Sequence, residues 1–186
     1  MSDRPPQVEI QIPDDIRSQW EQRTDPVVKV PSDVLRQVAK PVDKPGAATR
    51  ALVDRMKSAM FEARGVGLAA PQLGASERVI IYKLPEEKEP LRVIVNPKVV
   101  SSKGEQIGPE GCLSIPMLQG DVKRANEIIV KGVDLLGRPF RRRASEFEAR
   151  VIQHEVDHLD GILFTDRAEV ETLHWLVDED PDVPAE

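Results

Sequence analysis

The chain has one cysteine, Cys112, so no disulfide can close within it. A lone thiol fits a reducing compartment such as the cytoplasm and leaves Cys112 free for chemistry. Long apolar runs are missing too; none approaches the roughly 18 residues of a membrane span. No apolar stretch follows Met1, so neither a secretory signal nor membrane attachment is expected. The first 25 residues hold more acid than base, which argues against an organellar transit peptide. Positive charge is not in excess either. With 26 basic and 32 acidic side chains the net charge is −6, and direct nucleic-acid binding by charge attraction is not expected. There is no internal repeat.

What remains is a length of 186 residues, enough for one domain with ragged ends. Residues 1–26 are polar and proline-rich, and read as a partly ordered extension. A short helix between Ile12 and Arg23, anchored by Trp20, is the one element expected there. Residues 27–177 form the expected catalytic domain. Residues 178–186 carry five acids and no base, and read as a disordered tail.

Within the domain, apolar spacing predicts a helix over Ala48–Arg64, ended by Gly65. Gly65–Gly74 is a loop of small residues with one polar side chain, Gln72. Close backbone approach to a ligand and a plain tight linker are both open readings of it. Short strands are expected at Arg78–Leu84, Leu91–Val95 and Pro97–Ser101. Asp121–Asp134 and Arg138–Arg143 read as a hairpin across Leu135–Gly137. A second helix opens at Ser145, with Ser145 and Glu148 at capping-box spacing, and stops at Asp160–Gly161. Phe147, Val151, His154 and His158 share its predicted buried face. A further short helix is expected over Ala168–Leu176. Strands grouped between two helices predict an α+β fold, antiparallel β-sheets packed around a central metal-binding helix.

That helix carries the chemistry. Gln153–His158 contains H-E-x-x-H. Residues four apart stand on one helix face, so His154 and His158 can hold one metal ion. Glu155 lies about 100° round from His154, at the flank of such an ion and within reach of a water. A catalytic site of this kind needs a third protein ligand. Phe164 occupies the place where metzincin peptidases carry a third histidine. Glu169 and Glu171 are too near His158 for the usual downstream glutamate, and His174 falls on a predicted surface helix. Cys112, a soft thiolate in a glycine-rich segment, is the better candidate and suits iron or zinc.

Three segments together resemble the peptide deformylase family: Gly65-Val66-Gly67-Leu68-Ala69-Ala70-Pro71-Gln72, Glu110-Gly111-Cys112-Leu113-Ser114, and Gln153-His154-Glu155-Val156-Asp157-His158-Leu159-Asp160-Gly161. Their order and spacing also match, over roughly Val27–Arg167. The resemblance implies one divalent ion on Cys112, His154 and His158, usually Fe²⁺, with Zn²⁺, Ni²⁺ or Co²⁺ as substitutes. It implies Glu155 as general base, and the Gln72 amide and the Leu113 N–H as donors to a developing oxyanion. The substrate would be the N-formylmethionine of a nascent polypeptide, with formate released. Gly67 and Gly111 would let the peptide lie close to the backbone. Phe147, Val151 and Val66 would wall the methionine slot, although core packing is an equal reading of Phe147 and Val151. Glu110 and Arg124 would form a supporting ion pair. Transient ribosome association is compatible with this role. The sequence departs from the family where Val156 is smaller than usual, and near Gln119, where the arginine that some members use on the substrate backbone is absent. An endopeptidase of the zincin class and a non-catalytic metal-holding module are the rival readings.

Overall fold

The structure, a computed structural model, describes residues 4–86 and 89–176. The predicted tail at 178–186 lies outside the described residues. Two helices and two antiparallel sheets make up the frame. Helix α2 (Ala47–Glu62) follows a short helix α1 (Asp14–Glu21) in the arm, and α3 (Glu146–Leu159) closes the domain. Strands β1 (Gly67–Ala69), β2 (Val79–Tyr82), β3 (Arg92–Lys103), β6 (Glu127–Val133) and β7 (Pro139–Ser145) form one sheet in the order β1-β2-β3-β6-β7. Strands β4 (Gln106–Cys112), β5 (Ile115–Arg124) and β8 (His174–Trp175) form the other, in the order β4-β5-β8. The α+β expectation therefore holds. No helix among the described residues is long and apolar enough to cross a membrane.

Strand β2 explains the layering. Val79, Ile80, Ile81 and Tyr82 are all fully buried. Ile80 and Tyr82 face α3 with Ile94, Ile128, Val130 and Ile152, while Val79 and Ile81 face α2 with Leu52, Val53, Met56 and Met60. A strand covered on both faces must be apolar at every position, which is why this run does not alternate. The sandwich leaves α3 central, with the small sheet packed beyond it through Cys112, Ile115, Leu118, Val122 and Phe164.

Several local expectations yield to tertiary pairing. Leu91–Val95 and Pro97–Ser101 are one strand, β3, with an irregularity after Val95. Asn96 takes a left-handed conformation there, and its amide accepts from Val42 N and donates to Val42 O at 2.9 and 2.8 Å. The run Asp121–Asp134 is cut at Ala125–Asn126, and its halves lie in different sheets. The Gly65–Gly74 loop contains edge strand β1 and a 3-10 turn over Ala70–Leu73. Helix α2 ends on a left-handed Arg64 rather than on Gly65. The capping box at Ser145 does not form; Glu148 accepts instead from Tyr82 OH at 2.8 Å and from Arg142 Nε at 2.9 Å. Ala168–Leu176 is not a helix. A short 3-10 turn at Val170–Thr172 leads into β8, whose Trp175 pairs with Leu118 of β5.

The arm packs more firmly than its composition suggests. Ile16 and Trp20 are 1% and 7% exposed, and Trp20 meets Trp175 edge-on with ring centroids 5.9 Å apart. Arg4 Nη2 donates to Gly161 O at 2.6 Å, and Val8 N to Asp166 Oδ1 at 2.9 Å. Removing a buried indole costs about 3–5 kcal/mol. Trp20→Ala should therefore lower stability by roughly 3 kcal/mol in urea denaturation. A change under about 0.5 kcal/mol would show that the arm stands apart from the cooperative unit.

Candidate metal centre and pocket

Helix α3 presents His154 and His158 one turn apart, their ring centroids separated by 5.0 Å. Cys112 reaches the same point from the end of β4. The β4–β5 register shifts between Gly111 and Cys112, so that Cys112 opposes Ile115 across a tight turn. One ligand atom from each of Cys112, His154 and His158 lies within 4.8 Å of the others, and Cys112 Sγ stands 3.2 Å from His158 Nε2. Burial alone would raise the Cys112 thiol. The neighbouring His158 and His154 outweigh it and hold the thiol well below its usual range, so the thiolate is favoured. A thiolate and two imidazoles converging on one point suit a divalent transition metal. Phe164 is buried and stacks on His154 with centroids 6.3 Å apart, a packing role at the place of a metzincin ligand. Glu169, Glu171 and His174 lie outside the cluster.

The imidazoles are held by buried charge. His154 Nδ1 donates to Glu110 Oε2 at 2.9 Å, which turns Nε2 toward the centre. Glu110 also accepts from Arg124 Nε and Nη2, each at 2.9 Å, and from Arg150 Nη1 at 2.9 Å. Arg124 reaches on to Asp157, which Arg167 grips through Nε and Nη2 at 2.7 and 2.8 Å. Burial would raise the Glu110 carboxyl, but the hydrogen bonds from His154 and Arg124 keep it well below the usual carboxylate range. The sequence pointed to Glu110 and Arg124 alone. Arg150 and Asp157 were missed, although charged residues on the buried side of an amphipathic helix are a signal that partners must exist.

Glu155 is buried against Gly67. A Cβ on Gly67 would stand 2.4 Å from Glu155 Oε1, so the missing side chain is what admits the carboxylate. That is a different reason for Gly67 from the peptide contact expected of it, although Gly67 also lines the pocket. Glu155 Oε2 is buried without a hydrogen-bond partner. Burial pushes the carboxyl up to about 7, against the lowering pull of His154 and His158. A carboxyl poised near neutrality can take a proton and return it. Gln72 is oriented by its own backbone neighbourhood: Ala69 N donates to Oε1 at 2.9 Å. Its Nε2 then faces Ser114 Oγ at 3.2 Å and Cys112 Sγ at 3.6 Å.

These groups sit at the base of a cavity of about 390 Å³. Val66, Gly67, Gly111, Leu113, Phe147 and Val151 all line it. Phe147 is 46% exposed, so it stands at the rim and not on a buried face as expected. Val151 serves both the cavity and the core. Arg23, Met117, Gln119 and Leu176 complete the outer wall, and of these only Gln119 drew notice in the sequence.

The profile of the polypeptide deformylase family matches residues 24–173. The chain belongs to that family. It is an enzyme, a metal-dependent hydrolase that deformylates nascent peptides. A peptide deformylase from Syntrophomonas wolfei is 44% identical over 142 residues, covering 76% of this chain and 91% of that protein. The peptide deformylase of Synechococcus elongatus, solved in complex with actinonin, superposes with a TM-score of 0.74 at 41% identity, covering 77% of this chain and 79% of that one. The class I type b enzyme from Acinetobacter baumannii, solved with Met-Ala-Ser bound, gives 0.71 at 39% identity over 76% of this chain and 96% of that one. Family membership thus accounts for the domain but not for α1 and β8, which fall outside residues 24–173.

Glu110→Gln would leave Arg124 and Arg150 short of a buried anion. Stability should fall by about 3 kcal/mol at neutral pH, and metal affinity about 10- to 100-fold. Because the folded carboxyl is depressed, its contribution is complete above the ordinary value of about 4.3 and fades as pH drops below it. The stability gap between wild type and variant should therefore shrink in acid. Urea titrations at several pH values and chelator competition would check both effects; an unchanged metal affinity would remove Glu110 from the support of His154.

Proposed function

We propose that Cys112, His154 and His158 hold one divalent ion and that Glu155 is the general base for hydrolysis of an N-formyl amide. The observation that carries this reading is the buried Oε2 of Glu155, without a partner among the described residues, beside the Cys–His–His cluster in the wall of the cavity. Fe²⁺ is the proposed ion in the cell, with Zn²⁺, Ni²⁺ or Co²⁺ as substitutes, since a thiolate and two imidazoles accept all of them. When bound, the ion supplies Lewis acidity, acidifying a water and polarising the formyl oxygen.

The residues then divide the work. Glu155 takes a proton from the attacking water, whose oxygen bonds to the formyl carbon. Charge moves onto the formyl oxygen, and the Gln72 amide and the Leu113 N–H are its proposed donors. Ala69 N holds the Oε1 end of the Gln72 amide, which turns Nε2 toward Cys112 and Ser114. The C–N bond breaks, Glu155 passes its proton to the departing amine, and formate and a free N-terminus result. Val66, Phe147 and Val151 form the slot for the methionine side chain, Gly111 gives the peptide backbone room, and Gly67 lines the cavity beside the peptide while its missing side chain admits Glu155. Glu110 and Arg124 support the centre from beneath. Residues 27–177 carry the activity, the substrate is the N-formylmethionyl end of a nascent chain, transient ribosome contact suits that substrate, and the cytoplasm is the expected site of action.

Formate release from a formyl-Met peptide, with and without chelator, tests the reading directly. Glu155→Ala should keep its metal by elemental analysis and lose about 10²- to 10⁴-fold in kcat. Gln72→Ala should lose about 10²- to 10³-fold. Full activity in Glu155→Ala would remove the general-base role.

A further inference from the structure

We propose that Arg23 forms a cationic subsite on the wall of the pocket, which selects substrates with an acidic side chain just beyond the formylmethionine. This inference rests on the deformylase reading of the site. Arg23 precedes the residues that match the family, and the arm brings it to the cavity. Its backbone is pinned on both sides. Three residues upstream, Trp20 is buried against Trp175, and Arg23 N donates to Trp20 O at 3.4 Å. Downstream, Val27 is buried, Val28 N donates to Gln72 O at 2.8 Å, and Val30 N donates to Ser114 O at 3.1 Å. The segment that carries Arg23 is thus bonded to the backbone of the catalytic loop and of the turn after Cys112.

Among the described residues the guanidinium is uncommitted. Of the two arginines that line the cavity, Arg150 binds Glu110, Gly108 O and Val122 O. Arg23 makes no ion pair and no side-chain hydrogen bond among the described residues. Of the two acids nearest in sequence, Asp25 is taken by Lys29 Nζ at 2.5 Å and Val27 N at 3.2 Å, and Glu21, the last residue of α1, makes no ion pair with Arg23 among the described residues. The carboxylates lining the cavity are no better placed as partners: Glu110 is saturated by Arg124, Arg150 and His154, and Glu155 is buried against Gly67. Met117, Gln119 and Leu176, which line the same cavity, are uncharged. A peptide whose formyl group lies at Glu155 must leave past this wall. A carboxylate there meets a guanidinium that can bind it through two parallel N–H donors.

The test uses C-terminally amidated formyl-Met-Xaa-Ala and formyl-Met-Ala-Xaa peptides, with Glu or Lys at Xaa, so that no terminal carboxylate interferes. Wild type should favour Glu over Lys in kcat/KM by about fivefold at one of the two positions, mainly through KM. Arg23→Ala should bring that ratio near one, Arg23→Glu should invert it, and Arg23→Lys should keep most of it. About 1 M salt should also flatten it. Calorimetric binding of the deformylated products Met-Ala-Glu-amide and Met-Ala-Lys-amide reads the same preference without turnover. A ratio unaltered in both Arg23→Ala and Arg23→Glu, or no charge preference in wild type at either position, overturns the subsite. Failure to release formate from every peptide while the product preference persists would overturn the reaction and leave the subsite standing.

Discussion

One buried carboxylate ties the centre together. Glu110 lies on β4, two residues before Cys112, and it receives Arg124 from β5 and both Arg150 and His154 from α3. Removing a carboxylate from water is expensive, and in a low-dielectric interior the cost is offset only when every lone pair is met. Glu110 meets that condition with four donor groups, which makes any shift of β4 against α3 costly. The same bonds therefore set the distance between Cys112 and the two histidines. A metal ion held by all three side chains would tolerate little error in that distance. Asp157 extends the argument: it balances Arg124 and is itself held by Arg167, beyond the end of α3. Charge that would be unfavourable singly becomes a rigid brace as a set.

A second constraint acts on the other side of α3. Glu155 must be dry enough to sit near neutrality and still touch open cavity. Edge strand β1 satisfies both conditions because Gly67 has no side chain. The carboxylate fills the space a Cβ would take, and β1 covers it from bulk water. Gly65 behaves similarly toward Leu113, since a Cβ there would stand 2.6 Å from its Cδ1. The glycines of this segment are thus spacers between β1, the cysteine turn and α3. A larger residue at Gly67 would displace the Glu155 carboxylate.

The parts of this arrangement that obey a period or a spacing were legible in the sequence. H-E-x-x-H on an amphipathic helix needs only the 3.6-residue repeat, and α2 and α3 lie within two residues of their expected bounds. Phe164 at the third-histidine position left Cys112 as the remaining candidate. What could not be read depends on which strand lies beside which. Glu148 has the spacing of a capping residue, yet Tyr82 and Arg142 from other strands outcompete the helix terminus for it. Ala168–Leu176 has helical spacing, yet the exposed edge of β5 offers Leu176 N the carbonyl of Met117 at 2.6 Å. Arg150 and Asp157 could be flagged as anomalous charges, but their partners come from β4, β5 and the chain after α3.

The arm and β8 show how a family scaffold can change selectivity without touching its chemistry. Trp20 and Trp175 clamp two segments that lie outside the family match, and each segment then delivers one residue to the pocket, Arg23 and Leu176. Neither residue belongs to the Glu110 brace or to the metal cluster, so substitutions here leave the distances between Cys112, His154 and His158 alone. The inner half of the pocket is restrained by buried charge and by glycine spacers, where one methyl group is too many. The outer half rests on apolar contacts between a helix and a two-residue strand, which tolerate exchange of exposed side chains at little cost. Selectivity beyond the first substrate residue therefore belongs to the arm, because it is the part of the wall that can vary while the centre stays fixed.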